Sequence, residues 1–373
     1  MPQTQDRLEY YPVTLGCDPE LFFTKGGKVI GSEKVIPIEG LVPIDKYGGA
    51  SKGSKIVRDG VQAELNPQAK TCRVFLSQEI SLCFQKLLET MKEKNDPELN
   101  IDFTQTIKID KEELASLSPE NQILGCSPSK NAYNKRNFLS VKNGSKYYYR
   151  SAGGHIHLGK ISPSYGGDAV NNALDNHKTL IPLLDIVLGN TCVLLDRDPG
   201  NIQRRKVYGR AGEYRTPKHG VEYRTLSNFW LRNYQLTSFV MGLARETVLI
   251  LANSNKKHNY AKEIIKAVKR TEIKRAINKN DFDLALSNFQ KIEPILSEIT
   301  RKEDKYNFPL TKGNIKEFLF FAQKGLDFWF NEDPLKHWTQ PNIAATGGWE
   351  SFLDRKVHPI MEKELVTVTP QTA

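Results

Sequence analysis

Three short motifs each place an acidic or imidazole side chain two residues from a second polar group. They are Gly16–Glu20 (Gly-Cys-Asp-Pro-Glu), Gly153–Gly159 (Gly-Gly-His-Ile-His-Leu-Gly) and Val221–Arg224 (Val-Glu-Tyr-Arg). In a β-strand, residues i and i+2 face the same side, so each motif would present two charged or metal-binding groups to one surface. Each motif could therefore supply ligands to a metal ion or a phosphate.

A fourth stretch, Asp59–Pro67, adds another acid in a strand-like setting. The predicted sheet face carries Asp18, Glu20, Glu64, His155, His157 and Glu222. Carboxylates outnumber histidines in this set, which favours Mg²⁺ or Mn²⁺ over zinc. With arginines nearby, such a face would bind hard cations and the phosphates that they neutralise, which is the outline of a nucleotide-using enzyme.

Five arginines fall within 21 residues and supply the second half of this pattern. They are Arg204, Arg205, Arg210, Arg215 and Arg224. Guanidinium groups bind phosphate oxygens through two hydrogen bonds and stabilise charge during phosphoryl transfer. The alternative is a solvated basic loop, which the interleaved Tyr208 and Tyr214 make less favourable.

Taken singly, these motifs have ordinary explanations. His155 and His157 could be strand histidines bonded to neighbouring carboxylates, and the His-x-His spacing also occurs in zinc hydrolases and cupin-like oxygenases. Those sites need further histidines, and the remaining ones (177, 219, 258, 337 and 358) have no matching spacing. An isolated Asp-Pro turn or a Glu-x-Arg ion pair is common. The combination of the motifs carries the prediction.

Composition excludes several classes of protein. No apolar run of the 373 residues is long enough to span a bilayer, and the polar first residues predict no signal peptide. The five cysteines are scattered without a Cys-x-x-Cys pair, so we expect a reducing, cytoplasmic location. The formal charge of +10 favours anionic partners. A nucleic-acid partner is compatible with this charge but not required by it, because basic runs are usually solvated helix faces.

Elements that would position these motifs follow from the hydrophobic patterns. We predict short strands over residues 10–66, with a hairpin at the Gly26-Gly27 turn and a glycine-rich basic loop at 46–55. An amphipathic helix should follow at 70–94, and strands at 103–109, 147–150 and 155–158. We expect a buried helix at 168–196, kinked by Pro182, and further helices from 229 to about 330.

Read in order, the motifs resemble the glutamine-synthetase-like COOH–NH2 ligases, and most closely the phage-type amidoligases of that superfamily. Glutamine synthetases carry an acid-x-acid pair, further glutamates, a Gly-x-His-x-His strand and a terminal Glu-x-Arg, which bind two or three divalent ions around ATP. They also carry two arginines five residues apart shortly before Glu-x-Arg, and Arg210 and Arg215 resemble that pair. This sequence departs in having Asp18 as its first acid and Glu64 as the one clear further glutamate.

The resemblance implies an α+β fold with a glutamine-synthetase-like curved antiparallel sheet, the active site on its concave face and helices on the other face. We expect a catalytic domain at 1–228 and a helical C-terminal extension at 229–373 packed on it, for which glutamine synthetases offer no counterpart. The expected location is the cytoplasm, which is the host cytoplasm if the protein is phage-encoded.

The resemblance also implies a mechanism. Asp18, Glu20, Glu64, His155 and Glu222 would hold two or more Mg²⁺ or Mn²⁺ ions. ATP would contact the five arginines, of which Arg210, Arg215 and Arg224 neutralise the γ-phosphoryl group, while His157 orients the carboxyl substrate or neighbouring groups. The product would be an amide or isopeptide bond formed through an acyl phosphate. The amine acceptor could be a metabolite, a peptide or a nucleic acid, and the oligomeric state stays open.

Two other functions agree with the same residues. One is a metal-dependent phosphotransferase or kinase that stops after phosphoryl transfer. The other is a non-enzymatic basic protein, associated with nucleic acid or with a virion, that would bind nucleic acid in a strongly salt-dependent way.

Overall fold

The fold was analysed in a computed structural model. It describes residues 13–44, 53–124, 129–138, 147–161, 167–196, 198–254, 259–302 and 333–339. Most of the glycine-rich loop predicted at 46–55 lies outside these ranges, as do residues 303–332 of the predicted helical region.

Thirteen strands occur within these ranges. They are β1 (Thr14–Cys17), β2 (Glu20–Lys25), β3 (Lys28–Ile30), β4 (Lys55–Asp59), β5 (Gln62–Asn66), β6 (Leu99–Asp102), β7 (Thr106–Lys108), β8 (Ser129–Asn131), β9 (Asn134–Phe138), β10 (Tyr149–Ser151), β11 (Ile156–Gly159), β12 (Glu213–Arg215) and β13 (Gly220–Tyr223).

The helices are mostly concentrated in the second half of the chain. They are α1 (Arg73–Glu93), α2 (Lys111–Ser116), α3 (Pro119–Gln122), α4 (Asp168–Asp175), α5 (His177–Leu184), α6 (Asn190–Val193), α7 (Gly200–Val207), α8 (Tyr234–Ala252), α9 (Tyr260–Ala267), α10 (Arg270–Lys279), α11 (Phe282–Lys302) and α12 (Pro334–Trp338). A π-helical turn (Asp185–Gly189) joins α5 to α6, and 3₁₀ turns lie at Ser32–Lys34 and Asn228–Arg232.

The main sheet has six strands in the order β1-β11-β13-β12-β8-β9, and its pairs are antiparallel. Side chains alternate between its two faces, as the strand period requires. Leu15, Leu158 and Val221 lie opposite one another and are buried on the face against the helices. Their polar neighbours in sequence, His157 and Glu222, therefore point to the other face.

A second antiparallel sheet runs in the order β3-β2-β5-β4. Strand β6 also pairs with β2, on the side opposite β3. The predicted hairpin between β2 and β3 is confirmed, and its turn residues Gly26 and Gly27 have φ of +55° and +76°, which glycine adopts without strain. Asp18 and Pro19 carry the chain directly from β1 in the first sheet to β2 in the second. This short link brings the two sheets together at the site. A small two-stranded sheet pairs β7 with β10.

Helices α1, α4 and α8 pack against β1, β13 and β11 of the main sheet. One apolar core contains side chains from both sides of residue 228, including Leu15, Leu76, Val240 and Ile277. The last described helix, α12, returns to α1, where the buried Trp338 ring stacks on Phe84 at 5.5 Å. The helical C-terminal region thus shares the core of the sheet region.

The α+β class and the antiparallel sheets agree with the expectation, while the glutamine-synthetase-like curvature stays a prediction. The prediction of a single helix at 168–196 is wrong, because the helix is interrupted at Asn176 and a π-helical turn follows α5. Pro182 lies inside α5. The strand predicted at 103–109 is shortened to β7. Within the described ranges, no helix combines the length and the apolar content needed to cross a membrane.

Candidate active site

The first group of candidate ligands lies on the main sheet and contains Asp18, His155 and Glu222. Asp18 follows β1, His155 precedes β11 and Glu222 is in β13, so neighbouring strands bring them together. His155 Nδ1 is 3.1 Å from Asp18 Oδ1 and 3.6 Å from Glu222 Oε1. One ligand atom from each residue lies within 4.8 Å of the others. We call this set the histidine triad.

Glycines allow the main chain to approach this group closely. A Cβ atom on Gly153 would lie 2.5 Å from His155 Nε2, and one on Gly154 would lie 2.2 Å from the Ser227 carbonyl oxygen. Any side chain at either position would displace the histidine or the backbone beside it. The Gly-Gly pair before His155 is therefore part of how the site is built.

The second group lies on the second sheet and contains Glu20, Asp59 and Glu64. Glu20 in β2 is directly opposite Glu64 in β5, and Asp59 ends β4 on the same face. Their carboxylate oxygens also lie within 4.8 Å of one another. We call this set the carboxylate triad.

Hydrogen bonds from the protein hold the carboxylate triad in place. Glu20 Oε2 accepts from the Gly153 amide at 2.8 Å and from the Tyr208 hydroxyl at 3.0 Å. Glu64 Oε1 accepts from Asn66 Nδ2 at 2.7 Å. Each glutamate thus has one oxygen bound by the protein, which fixes the direction of the other oxygen.

Burial and mutual repulsion make the carboxylate triad resist ionisation. Burial and the charge of Asp59 raise the pKa of Glu20 to about 8. Burial, followed by the charges of Asp18 and Asp59, raises the pKa of Glu64 to about 9. The pKa of Asp59 is raised for the same reasons. Three acids this close need a cation to be ionised together at neutral pH.

The histidine triad has a different balance. Burial favours the neutral form of Asp18, but His155 and His157 outweigh it and hold the pKa of Asp18 well below its ordinary value. Burial lowers the pKa of His155 to about 4, so its ring is neutral and keeps a lone pair. Burial and the charge of Asp18 raise the pKa of Glu222 to about 8.

Several polar atoms of the histidine triad are buried without a hydrogen bond of suitable geometry. Within the described part of the chain these are Asp18 Oδ1, both ring nitrogens of His155 and Glu222 Oε1. Buried polar atoms without a partner are costly, and a bound cation would satisfy the oxygens and the lone pair together. The donor set of both triads fits a divalent ion.

Two of the five predicted arginines lie beside the histidine triad. Arg224 Nη1 is 3.4 Å and Arg215 Nη1 is 3.5 Å from Glu222 Oε1. Arg224 is buried, while the Arg215 side chain is 29% exposed. Together they put two permanent positive charges next to the candidate ion site.

The other three arginines direct guanidinium groups to backbone carbonyls. Arg204 donates to the carbonyls of Thr225 and Leu226, at 3.0 and 2.6 Å. Arg205 donates to the carbonyl of Gly209, and Arg210 to that of Arg205, at 3.3 and 2.7 Å. These contacts fix the segment between α7 and β13.

His157 lies at the outer edge of the histidine triad. Its Nε2 is 3.3 Å from Asp18 Oδ2, and its Nδ1 is 2.8 Å from His219 Nε2. Burial lowers the pKa of His157, but the neighbouring Asp18 outweighs this and raises it overall.

The structure brings the predicted acids and histidines close together and places beside them four polar residues that the sequence motifs did not indicate. Asp59, Gln62, Tyr208 and His219 were not assigned to the site. A signal existed for Asp59, because Asp-Gly between strand patterns indicates a hairpin, which would place Asp59 opposite Gln62 and on the face of Glu64. Tyr208 and His219 have no comparable local signal, because their partners are distant in sequence.

Comparisons with known proteins give a match to a family model and likenesses among solved structures. Residues 123–308 match the family model described as phage phiEco32-like COOH.NH2 ligase-type 2. The matched range includes the histidine motif and all five arginines, and it extends well past residue 228. Among solved structures, a chain described as "GmaS/ADP complex-Conformation 1" is similar with a TM-score of 0.34 and 10% identity, over 86% of this chain and 70% of that chain. No curated protein matches the sequence.

Proposed function

The chain belongs, through residues 123–308, to the phage phiEco32-like COOH.NH2 ligase-type 2 family, an ATP-dependent amidoligase class, and we propose that it forms an amide through an acyl phosphate. The family description supports ligation of a carboxylate to an amine. The observation that carries the finer proposal is the meeting of the two triads at the Asp18-Pro19-Glu20 link, with two arginines beside them.

We assign one divalent ion to each triad. Asp18, His155 and Glu222 would hold the first ion, and Glu20, Asp59 and Glu64 the second. The excess of carboxylate oxygens favours Mg²⁺ or Mn²⁺. When bound, such ions neutralise phosphate charge and make the γ-phosphorus more electrophilic.

Arg215 and Arg224 are the arginines best placed for the transferred phosphoryl group. Both approach Glu222, so a phosphate bound near the histidine triad would be within reach of their charges. Guanidinium groups fixed before the reaction stabilise developing charge without reorganising. We assign to Arg204, Arg205 and Arg210 the task of holding this segment, since their donors already bind carbonyl groups.

The chemistry needs activation because a carboxylate is a poor acyl donor at neutral pH. A carboxylate oxygen of the substrate attacks the γ-phosphorus, the bond to the β–γ bridging oxygen breaks, and ADP leaves. The amine nitrogen then attacks the acyl carbon, the bond to the phosphate oxygen breaks, phosphate leaves, and the proton on nitrogen passes to solvent. His157 contributes by orienting Asp18, which it contacts directly.

The experiment is ADP and phosphate release from ATP with Mg²⁺ or Mn²⁺, measured across pools of carboxylates, amines, acidic peptides and oligonucleotides, with product masses recorded. We expect turnover that requires both a carboxylate and an amine, with loss of one water in the product. Hydroxylamine in place of the amine should give a hydroxamate, which reports the acyl phosphate.

Three results would count against this proposal. A phosphorylated product that gives no hydroxamate would indicate a phosphotransferase. Turnover without any divalent ion would contradict the triad assignment. Failure to bind ATP, together with salt-dependent binding of nucleic acid, would leave a basic binding protein.

A further inference from the structure

The His157 ring is held between two partners, one at each nitrogen. Its Nδ1 is 2.8 Å from His219 Nε2, and its Nε2 is 3.3 Å from Asp18 Oδ2. The two imidazole rings are tilted by 31°, with centroids 5.0 Å apart. Asp18 is in the histidine triad, whereas His219 is exposed and outside both triads.

An ionised Asp18 carboxylate only accepts hydrogen bonds, so it favours a hydrogen on His157 Nε2, and a donor at Nδ1 favours the same tautomer. If both rings are neutral and His157 carries its single hydrogen on Nε2, then His219 donates from Nε2 to His157 Nδ1. If His157 is protonated, both of its nitrogens carry hydrogen and His219 Nε2 accepts. In either case, the hydrogen is on His157 Nε2, the ring nitrogen that lies 3.3 Å from Asp18 Oδ2.

The hairpin between β12 and β13 holds His219 in this position. The Gly220 amide donates to the Pro217 carbonyl at 3.0 Å, and the Lys160 amide donates to the His219 carbonyl at 2.7 Å. Gly220 has φ of +150°, and a Cβ there would lie 2.1 Å from the Leu158 carbonyl oxygen. The turn is therefore tied to β11, the strand that carries His157.

We propose that His219 is a positioning residue for the histidine triad, acting through His157 on Asp18. With Oδ2 facing His157, Asp18 turns Oδ1 toward His155, where Oδ1 is buried and makes no hydrogen bond within the described ranges. That oxygen is the one available to an ion. This inference rests on the proposed function, because it concerns the ion site that the ligase reaction would use.

The test compares His219→Ala with His219→Gln, and uses His177→Ala as the matched control. His177 is another partly exposed histidine with a ring contact, to Tyr214, and is outside the triads. The first readout is Mn²⁺ affinity of each purified chain without ATP, by calorimetric titration. The second is the nitrogen-15 NMR signals of the His157 ring in histidine-labelled protein, which report which ring nitrogen carries hydrogen.

We expect His219→Ala to weaken Mn²⁺ binding about tenfold, the lower end for loss of a group that orients a ligand. The His157 ring should then lose its fixed hydrogen on Nε2. His219→Gln should restore both, since the glutamine amide nitrogen can occupy the place of His219 Nε2 and donate to Nδ1. His177→Ala should match the parent chain.

Unchanged Mn²⁺ affinity together with unchanged His157 ring signals in His219→Ala would overturn the proposal. Equal losses in the alanine and glutamine variants would also overturn it, because the contact would then not depend on a hydrogen-bonding nitrogen. If the parent chain bound no Mn²⁺, the proposed function would fail, and the ring signals alone would decide the positioning role.

Discussion

Both triads contain buried carboxylates that could bind an ion, but they differ in whether an acid is kept ionised by its neighbours. In the histidine triad, Asp18 lies between two imidazole rings, and its pKa is held well below the ordinary value against the effect of burial. In the carboxylate triad, three acids face one another, and burial with mutual repulsion raises the pKa of Glu20 to about 8 and of Glu64 to about 9.

This difference separates two ways of building an ion site. The histidine triad has one acid, Asp18, that stays ionised without a cation, beside a neutral histidine that can donate a lone pair. Its second acid, Glu222, has a pKa raised to about 8. The carboxylate triad must lose protons when a cation binds. We therefore expect ion binding at the carboxylate triad, where all three acids have raised pKa values, to depend more strongly on pH than ion binding at the histidine triad, where one of two acids does.

The largest effect should come from Glu222→Gln. Glu222 is the acid that meets His155, Arg215 and Arg224, so its charge is shared by the ion site and both arginines. Glutamine keeps the volume and removes the charge. We expect metal-dependent ADP formation to fall about 10²–10³-fold, similar to the loss of a preorganised stabilising group. Glu89→Gln, on the exposed face of α1, is the control and should keep full activity. Full turnover in Glu222→Gln would remove Glu222 from the site.

Asp59→Asn tests whether the carboxylate triad binds an ion. Removing one of its three charges should weaken Mn²⁺ or Mg²⁺ binding about 10- to 100-fold, with a matching loss of ADP formation. Asp96→Asn is the control, because Asp96 pairs with Lys25 far from both triads. If Asp59→Asn and Asp96→Asn behaved alike, the second ion site would be wrong, and the contrast between the triads with it.

The candidate site could be predicted from the sequence only in part. The i and i+2 rule predicted one sheet face for the acids and histidines, whereas Glu20 and Glu64 lie in the second sheet. Asp18 and His155 lie just outside β1 and β11, and the pairing of these strands with β13 brings them to Glu222. The same rule could not decide between the five arginines. Arg204 donates to carbonyl groups 21 and 22 positions later in the chain, and such contacts leave no local pattern.

The elements of the fold that depend on local sequence could likewise be predicted. The β2–β3 hairpin and helix α1 follow from glycine turns and helical periodicity, which are properties of short segments. The π-helical turn at Asp185–Gly189 does not. Asp185 accepts a hydrogen bond from Tyr223 at 2.7 Å, and a Cβ on Gly189 would lie 2.4 Å from that hydroxyl. Tertiary contacts of this kind, like the return of Trp338 to α1, leave no local pattern.

The pH coupling of the carboxylate triad gives a stability prediction. Acids whose pKa is raised in the folded chain make it less stable as pH rises from their ordinary pKa to the raised value, so the metal-free protein should lose stability between about pH 4.5 and about pH 9. Mg²⁺ at about 100 times its Kd should add about 2.7 kcal/mol, or about 5 °C in Tm. At a fixed Mg²⁺ concentration, we expect a larger Tm increase at about pH 8.5 than at about pH 6.5, because the ion binds the deprotonated acids.

Thermal unfolding with and without Mg²⁺ at the two pH values measures this difference. Asp59→Asn should reduce the pH dependence of the Mg²⁺ effect, since it removes one of the repelling charges. Equal Tm increases at both pH values in the parent chain would contradict the assignment of raised pKa values to the carboxylate triad.

Tyr208→Phe should have a smaller effect, because it removes one hydroxyl that lies between the triads. The hydroxyl is 3.0 Å from Glu20 Oε2 and 2.9 Å from the Ser151 carbonyl, and the ring packs edge-on to His155. Glu20 keeps its bond from the Gly153 amide. We expect about a tenfold loss of Mn²⁺ affinity, equivalent to about 1.4 kcal/mol and within the range for one buried hydrogen bond. A loss as large as that of Asp59→Asn would mean that Tyr208 supports both triads together.

The smallest effect concerns the contact between the end of α10 and Arg205, in the arginine-rich segment beside the histidine triad. Asn280 ends α10 with φ of 50°, its Oδ1 accepts from Arg205 Nη1 at 3.1 Å, and its Nδ2 donates to the Asp196 carbonyl at 3.0 Å. Asn280→Gly keeps the left-handed backbone without strain and removes both bonds. We expect a loss of about 1 kcal/mol in the free energy of unfolding.

Asn95→Gly is the matched control, because Asn95 has the same φ of 50° after α1 and is exposed. Its unfolding free energy should change by less than about 0.5 kcal/mol. Asn280→Gly should also lower ADP formation slightly, since Arg205 holds the segment that leads to Arg215. The pH dependence of the Tm increase caused by Mg²⁺ should be unchanged. A change in that pH dependence would show that the C-terminal helices act on the carboxylate triad as well, and that the two triads do not respond independently.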